Sequence, residues 1–205
     1  MRFIKGGFYW KIISLAVFGA FLSVVQVSAA EFSADMIQKT PQATIKGKVY
    51  VKGTLFRQEM EIMGQRQITL FNRDKNTIVV LMPQNRMYME MPASAGGQNL
   101  SSTDPKALKR MAKTKSLGTA RFQGYRCEKV RYTFHDSSLG TMVQWFSKKL
   151  RFPLKIEMDG PGGRMVTEYR NIKEGNLSDS LFRIPRGYQK MSMPGMMRGM
   201  GGMRR

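Results

Sequence analysis

The amino-acid sequence predicts a mainly β fold, an antiparallel sheet that curls on itself, with one marked helix. Three observations predict it. Apolar and polar residues alternate with a period of two over most of the chain after residue 44. Short turn motifs such as Lys52-Gly53, Gln123-Gly124 and Asp159-Gly160-Pro161-Gly162-Gly163 separate these runs. Helical spacing occurs in one stretch, near residues 104–113.

The chain opens on Arg2, Lys5 and Lys11, then an apolar run from Ile12 to Val25, then Val27-Ser28-Ala29-Ala30. A basic start, an apolar middle and small residues at the end predict a secretory signal peptide over residues 1–30. Cleavage after Ala29 uses Val27 and Ala29; cleavage after Ala30 uses Ser28 and Ala30. The expected location is the periplasm, free or associated with a membrane. A single cysteine, Cys127, excludes an intramolecular disulfide and cysteine-built zinc sites.

From Ile45, the residues Gly47, Val49 and Val51 share one face of a strand, and Lys46, Lys48 and Lys52 share the other. After the Lys52-Gly53 turn, Phe56, Gln58, Met60 and Ile62 alternate with Arg57, Glu59 and Glu61, completing a hairpin. Gln67–Phe71 is a third strand. The continuous apolar run Thr77–Met82 predicts a strand covered on both sides or central in the sheet. Arg86–Met91 follows, with Met87, Met89 and Met91 on one face. Ser94–Thr103 reads as a loop. Asp104 and Pro105 open a short helix whose one face holds Leu108, Met111 and Ala112, and whose other holds Lys106, Lys109, Arg110 and Lys113. Beyond Gly118 come a hairpin turning at Gln123-Gly124, strands at Thr141–Ser147, at Leu154–Met158 and at Arg164–Ile172, and a closing segment to Tyr188. Nine or ten strands result. The stretch 191–205 follows neither period and is expected to be a disordered tail rich in Met, Gly and Arg.

Charge narrows the partners. The chain has 34 basic and 14 acidic residues; taking away the three basic residues of the leader leaves a net charge of +17. Such a field favours anionic partners. Export argues against nucleic acid and leaves phospholipid headgroups, lipopolysaccharide and acidic polymers. No catalytic constellation stands out, and the expectation is a protein that is not an enzyme and needs no cofactor. His135, the sole histidine, neighbours Asp136 and Ser138 in one turn, where triad members seldom converge. The tail methionines Met191, Met193, Met196 and Met197 are soft thioether donors that would suit Cu(I), though the nearby arginines oppose a cation.

Three stretches carry a resemblance to a known family. They are Gly47–Met91 with Arg57 on a strand; Gly124-Tyr125-Arg126-Cys127-Glu128-Lys129-Val130 with Trp145 and Phe152-Pro153-Leu154-Lys155; and Leu177–Tyr188. Together they resemble the LolA-like outer-membrane lipoprotein-sorting superfamily, over most of residues 32–190. The resemblance implies an incomplete antiparallel β-barrel, a LolA/LolB-like half-barrel covered by short helices, over residues 31–190. It further implies lipid or lipoprotein acyl chains as partners, held on an apolar concave face. Met60, Met87, Met89, Met91, Val143 and Trp145 are candidates to line that face. Arg57 is the candidate for the strand arginine that pins the lid.

Overall fold

The computed structural model describes residues 30–62, 64–93 and 105–191. Twelve strands form one sheet in the order β12-β6-β5-β4-β3-β2-β1-β11-β10-β9-β8-β7. They are β1 (Glu31–Lys39), β2 (Thr44–Lys52), β3 (Leu55–Ile62), β4 (Gln65–Asn72), β5 (Thr77–Met82), β6 (Met87–Pro92), β7 (Ala112–Phe122), β8 (Tyr125–Phe134), β9 (Thr141–Ser147), β10 (Phe152–Gly160), β11 (Gly163–Glu174) and β12 (Gln189–Lys190). Every pairing among the first eleven strands is antiparallel, most of them made by hairpins and that of β1 with β11 made across the chain; the two-residue β12 joins β6 in parallel. The sheet does not close, since β12 and β7 end the order unpaired with each other.

Ring contacts show how tightly the sheet curls. Phe56 on β3 stacks on Phe152 at the start of β10, ring centroids 6.0 Å apart. Four strand spacings separate β3 from β10, which in a flat sheet would be about 19 Å. The sheet therefore wraps around the face that carries Phe56, making an open half-barrel. Phe32 and Tyr169 complete this aromatic cluster, with centroids 5.4 and 5.0 Å from that of Phe152. Val49, Val51 and Leu154 pack beside them.

The expected helix is α1 (Pro105–Met111), shorter than the helical spacing suggests. It buries Leu108 against Ala112, Tyr132, Met142 and Ile156 and so covers the inner face of β8–β10. Ala112 starts β7 instead of ending the helix, and Met111 is 40% exposed. The strand count also exceeds the expected nine or ten. The first strand, β1, is not among those the alternation predicts, and β12 adds a short closing strand.

β5 is next to the last long strand instead of central, yet it is covered on one side. Residues 177–191 cross the outer face of β3–β6, where Tyr188 packs with Tyr88 over Ile68, Leu70 and Leu81. Polar ties hold that segment down. Lys52 Nζ donates to the Leu177 carbonyl at 2.8 Å and pairs with Asp179 at 2.8 Å. The Leu177 N–H donates to the Glu31 carboxylate.

Candidate functional site

Register assigns the faces. From β1 to β6 no pairing slips, so directly opposed residues share a face along the whole row. One row runs Phe32–Val51–Phe56–Phe71–Ile78–Met91; another runs Met36–Gly47–Met60–Gln67. These rows lie on the concave face. Its positions on β1–β6 carry apolar residues, Gly, Gln and Thr, and no charged side chain. The opposite rows hold Asp35, Lys48, Arg57, Glu59, Arg66 and Glu90.

The same register places every methionine described in a strand on the concave face. Met36, Met60, Met82, Met87, Met89 and Met91 follow from β1–β6. Met165, Met158 and Met142 follow through β11, β10 and β9. Their surroundings differ. Met142 is fully buried beneath α1, and Met36 is buried beside the aromatic cluster. Met60, Met82, Met87, Met89 and Met91 are half-buried, as are Phe71 and Val80 next to them. Gly47 makes the close approach possible: a Cβ there would sit 2.3 Å from the Glu59 carbonyl oxygen, 3.2 Å from Met60 Cγ and 3.3 Å from Met36 Cε. Gln58 donates to both thioethers, Met36 and Met60, at 3.1 Å. The Gln58 amide is thus turned to sulfur, and flexible methionines make up much of the surface beside it, with Gln65, Gln67 and Thr69 as its other polar residues. Such a surface adapts to an irregular hydrocarbon.

The structure gathers four of the six predicted lining residues, Met60, Met87, Met89 and Met91, on that floor, and adds Met82. It does not bring Val143 and Trp145 there. Val143 is opposite Glu157 and Trp145 is opposite Lys155, on the charge-bearing face. The Lys129 and Lys155 ammonium groups stand 4.6 and 5.0 Å from the indole centroid. Trp145 also packs with Cys127, Leu150 and Phe152, near the bulge that β10 carries between Pro153 and Lys155.

Arg57 likewise lies on the outer face. Its Nε donates to Glu59 Oε1 at 2.6 Å and its guanidinium to the Leu181 carbonyl at 2.7 Å. Arg57 therefore pins a segment, but this is the C-terminal crossing and not a cover over the methionines. Burial pushes the Glu59 carboxyl up, while its bonds to Arg66 and Arg57 outweigh that and hold it below the ordinary carboxylate range.

A cleft of about 810 Å³ opens elsewhere, at the rim where the β7–β8 turn meets the β9–β10 turn. Tyr125 Oη donates to Glu174 at 2.8 Å and Lys149 to the same oxygen at 2.6 Å; Lys148 pairs with Glu128 at 2.6 Å. Burial, together with the Glu174 carboxylate, pushes the Tyr125 phenol up to about 12. A phenol raised that far stays protonated near neutral pH and is no base there. His135 is exposed, and Asp136 accepts from the Ser138 N–H and hydroxyl instead of orienting an imidazole. Among the described residues, no cluster of three or more His, Cys, Asp or Glu could hold a metal. No described helix is long and apolar enough to cross a membrane.

The expected signal peptide, with Ala29, and the tail methionines Met193, Met196 and Met197 lie outside the described residues. Ala30 and Met191 lie inside them. The Ala30 carbonyl accepts from Gly53 N–H at 3.1 Å, and Met191 N–H donates to the Tyr88 carbonyl at 2.7 Å.

No curated protein matches the chain. Among solved structures, an uncharacterized conserved protein from Thermus thermophilus is similar with a TM-score of 0.58 and 14% identity, over 80% of this chain and 91% of that one. MucB in the Pseudomonas aeruginosa MucA/MucB complex is similar with a TM-score of 0.52 and 12% identity, over 78% of this chain and 57% of that one. This chain thus spans little more than half of that protein. A LolA superfamily protein from Nitrosomonas europaea matches at 12% identity over 77% and 91%, with a TM-score of 0.37, a likeness too slight to carry detail or function. At these identities the likenesses speak to fold alone. The family model described as "Domain of unknown function (DUF4412)" matches residues 33–151, more than half of the sequence, and the chain belongs to that family.

Proposed function

We propose that this protein is an exported, non-catalytic carrier that holds a flexible apolar chain, such as the acyl chain of a lipid or lipoprotein, against the concave face of β3–β6. One observation carries the reading: that face bears no charged side chain, and its methionines are half-buried while the opposite face of the same strands is packed. An acyl chain in water forfeits about 0.8 kcal/mol per exposed methylene, so a carrier must offer comparable apolar area. Met60, Met82, Met87, Met89 and Met91 supply it in a form that follows the ligand's shape.

The periplasm is the compartment this reading requires, and the basic, apolar, small-residue order of residues 1–30 supports it. Cleavage after Ala29 keeps the Ala30 carbonyl that binds Gly53, so it is preferred over cleavage after Ala30. N-terminal sequencing of the secreted protein decides between the two. The similar MucB forms a complex with MucA, which supports a protein-borne acyl chain or segment as the class of cargo.

Native mass spectrometry of the protein purified from the periplasm tests the proposal. The expected result is one bound lipid or acylated peptide per chain, displaced by Met89→Lys. A spectrum free of adducts, together with no saturable gain in emission from a fluorescent fatty acid, would rule the carrier out.

A further inference from the structure

The β7–β8 hairpin repeats one electrostatic defect. Lys115 stands directly opposite Arg131, and at the tip Arg121 stands directly opposite Arg126. Like charges facing each other across antiparallel strands destabilise the pair. Lys113 and Lys129 share the face of Lys115 and Arg131, which makes four cations on one surface of two strands. Among the described residues, none of these six cations stands in an ion pair.

Neighbouring strands show the contrast. On β10–β11 the cations Lys155, Arg164 and Arg170 each lie within 3.4 Å of Glu157 or Glu168. Only one acid, Glu128, occurs on β7–β8, and it is taken by Lys148. Among the described residues Lys39, Lys46, Lys48 and Lys173 also stand outside any ion pair, but none of them faces another cation directly across a strand pair; on this hairpin two pairs of cations do.

We infer that the outer face of β7–β8 is a docking surface for a bilayer bearing anionic phospholipid headgroups. Phosphates arriving between Lys115 and Arg131 relieve the repulsion that the folded protein otherwise retains. An added peptide strand is the poorer occupant. β7 is an edge strand, but a bulge between Ser116 and Thr119, with Gly118 at φ +83°, interrupts it, and its lysines flank the edge. Bulges and edge lysines obstruct strand addition while leaving side chains free to meet a surface. The inference does not depend on the concave face binding a chain.

Sedimentation of the purified protein with vesicles tests it. At low salt the protein binds phosphatidylglycerol-containing vesicles and not pure phosphatidylcholine ones. The pair Lys113→Gln and Lys115→Gln lowers vesicle affinity roughly 30-fold, at the usual contribution per cation near an anionic surface. The control pair Lys39→Gln and Lys46→Gln, exposed on β1–β2, removes the same charge and costs less than about 3-fold if the surface is local. Equal losses from both pairs would reduce the effect to net charge and overturn the inference, as would binding to an acidic polymer without binding to vesicles. Lys115→Glu adds a second readout: facing Arg131, it raises Tm while vesicle affinity falls. A variant that lowers Tm, or that keeps full affinity, contradicts the proposed role.

Discussion

The two halves of the sheet solve the burial problem on opposite faces. On β1–β2 and β8–β11 the core lies inside the curl, where Phe32, Phe152 and Tyr169 interlock and α1 covers Tyr132 and Met142. On β3–β6 the densest packing lies outside, where residues 177–191 cover Ile68, Leu70 and Leu81. Among the described residues, the inner surface of this second half carries half-buried methionines instead of a closed core. A half-open apolar floor is normally a liability in water. Packing of Ile68, Leu70 and Leu81 with Tyr88 and Tyr188 anchors these strands from behind.

Core truncations separate the two halves most sharply. Phe152→Ala, on the inside of the filled half, is expected to cost about 3–5 kcal/mol, and Leu81→Ala, on the outside of the open half, about 2–5 kcal/mol. Met89→Ala, on the open floor, is expected to cost about 1 kcal/mol or less, because half-buried side chains leave little cavity. Urea unfolding measures all three. A cost for Met89→Ala equal to that of Leu81→Ala would mean that the floor is part of the core.

Detaching the outer cover comes next in size. Arg57→Ala leaves the Leu181 carbonyl without its guanidinium and Glu59 with Arg66 alone. The expected loss is about 2–3 kcal/mol, with hydrogen exchange accelerated across residues 177–191 and unchanged in β8–β10. Uniform acceleration would show that the two halves are not separable.

Acid produces a smaller, graded effect on the same half. The Glu59 carboxyl is held below its ordinary value of 4.5 in the folded chain. Its contribution is complete above that value and is lost as pH falls through the lower folded value, because the unfolded chain binds the proton first. Glu59→Gln should therefore flatten the decline in Tm below about pH 4.5. Glu157 and Glu168 are also held low, by burial outweighed by Lys155 with Arg164 and by Arg170 with Lys155 respectively, so some acid sensitivity survives. An unchanged pH profile in Glu59→Gln would remove Glu59 from the account.

Local pattern makes much of this fold legible. The alternation of Val49 and Val51 with Lys48 and Lys52, and of Phe56 and Met60 with Arg57 and Glu59, assigns the faces of β2 and β3 correctly. Met87, Met89 and Met91 fall together for the same reason. β1 escapes such a reading because Ser33 and Asp35 alternate with small Ala34, and because its far partner β11 lies more than 120 residues away in the chain. Helical spacing continues through Ala112, but pairing of Ala112 with Phe134 draws that residue into the sheet. Trp145 and Val143 alternate as a core face should, yet alternation does not say which side is concave. Only the pairing through β10 and β11 settles that. The Arg57 contact with Leu181 spans 124 residues and leaves no trace in local sequence.

Methyl NMR of the methionines in the presence of a nitroxide-labelled fatty acid probes the concave face of β3–β6 itself. Met60, Met82, Met87, Met89 and Met91 are expected to broaden strongly, with Met142 beneath α1 and Met36 in the aromatic core left sharp. Broadening confined to exposed Met111, or spread evenly over all methionines, would contradict binding of the chain on β3–β6.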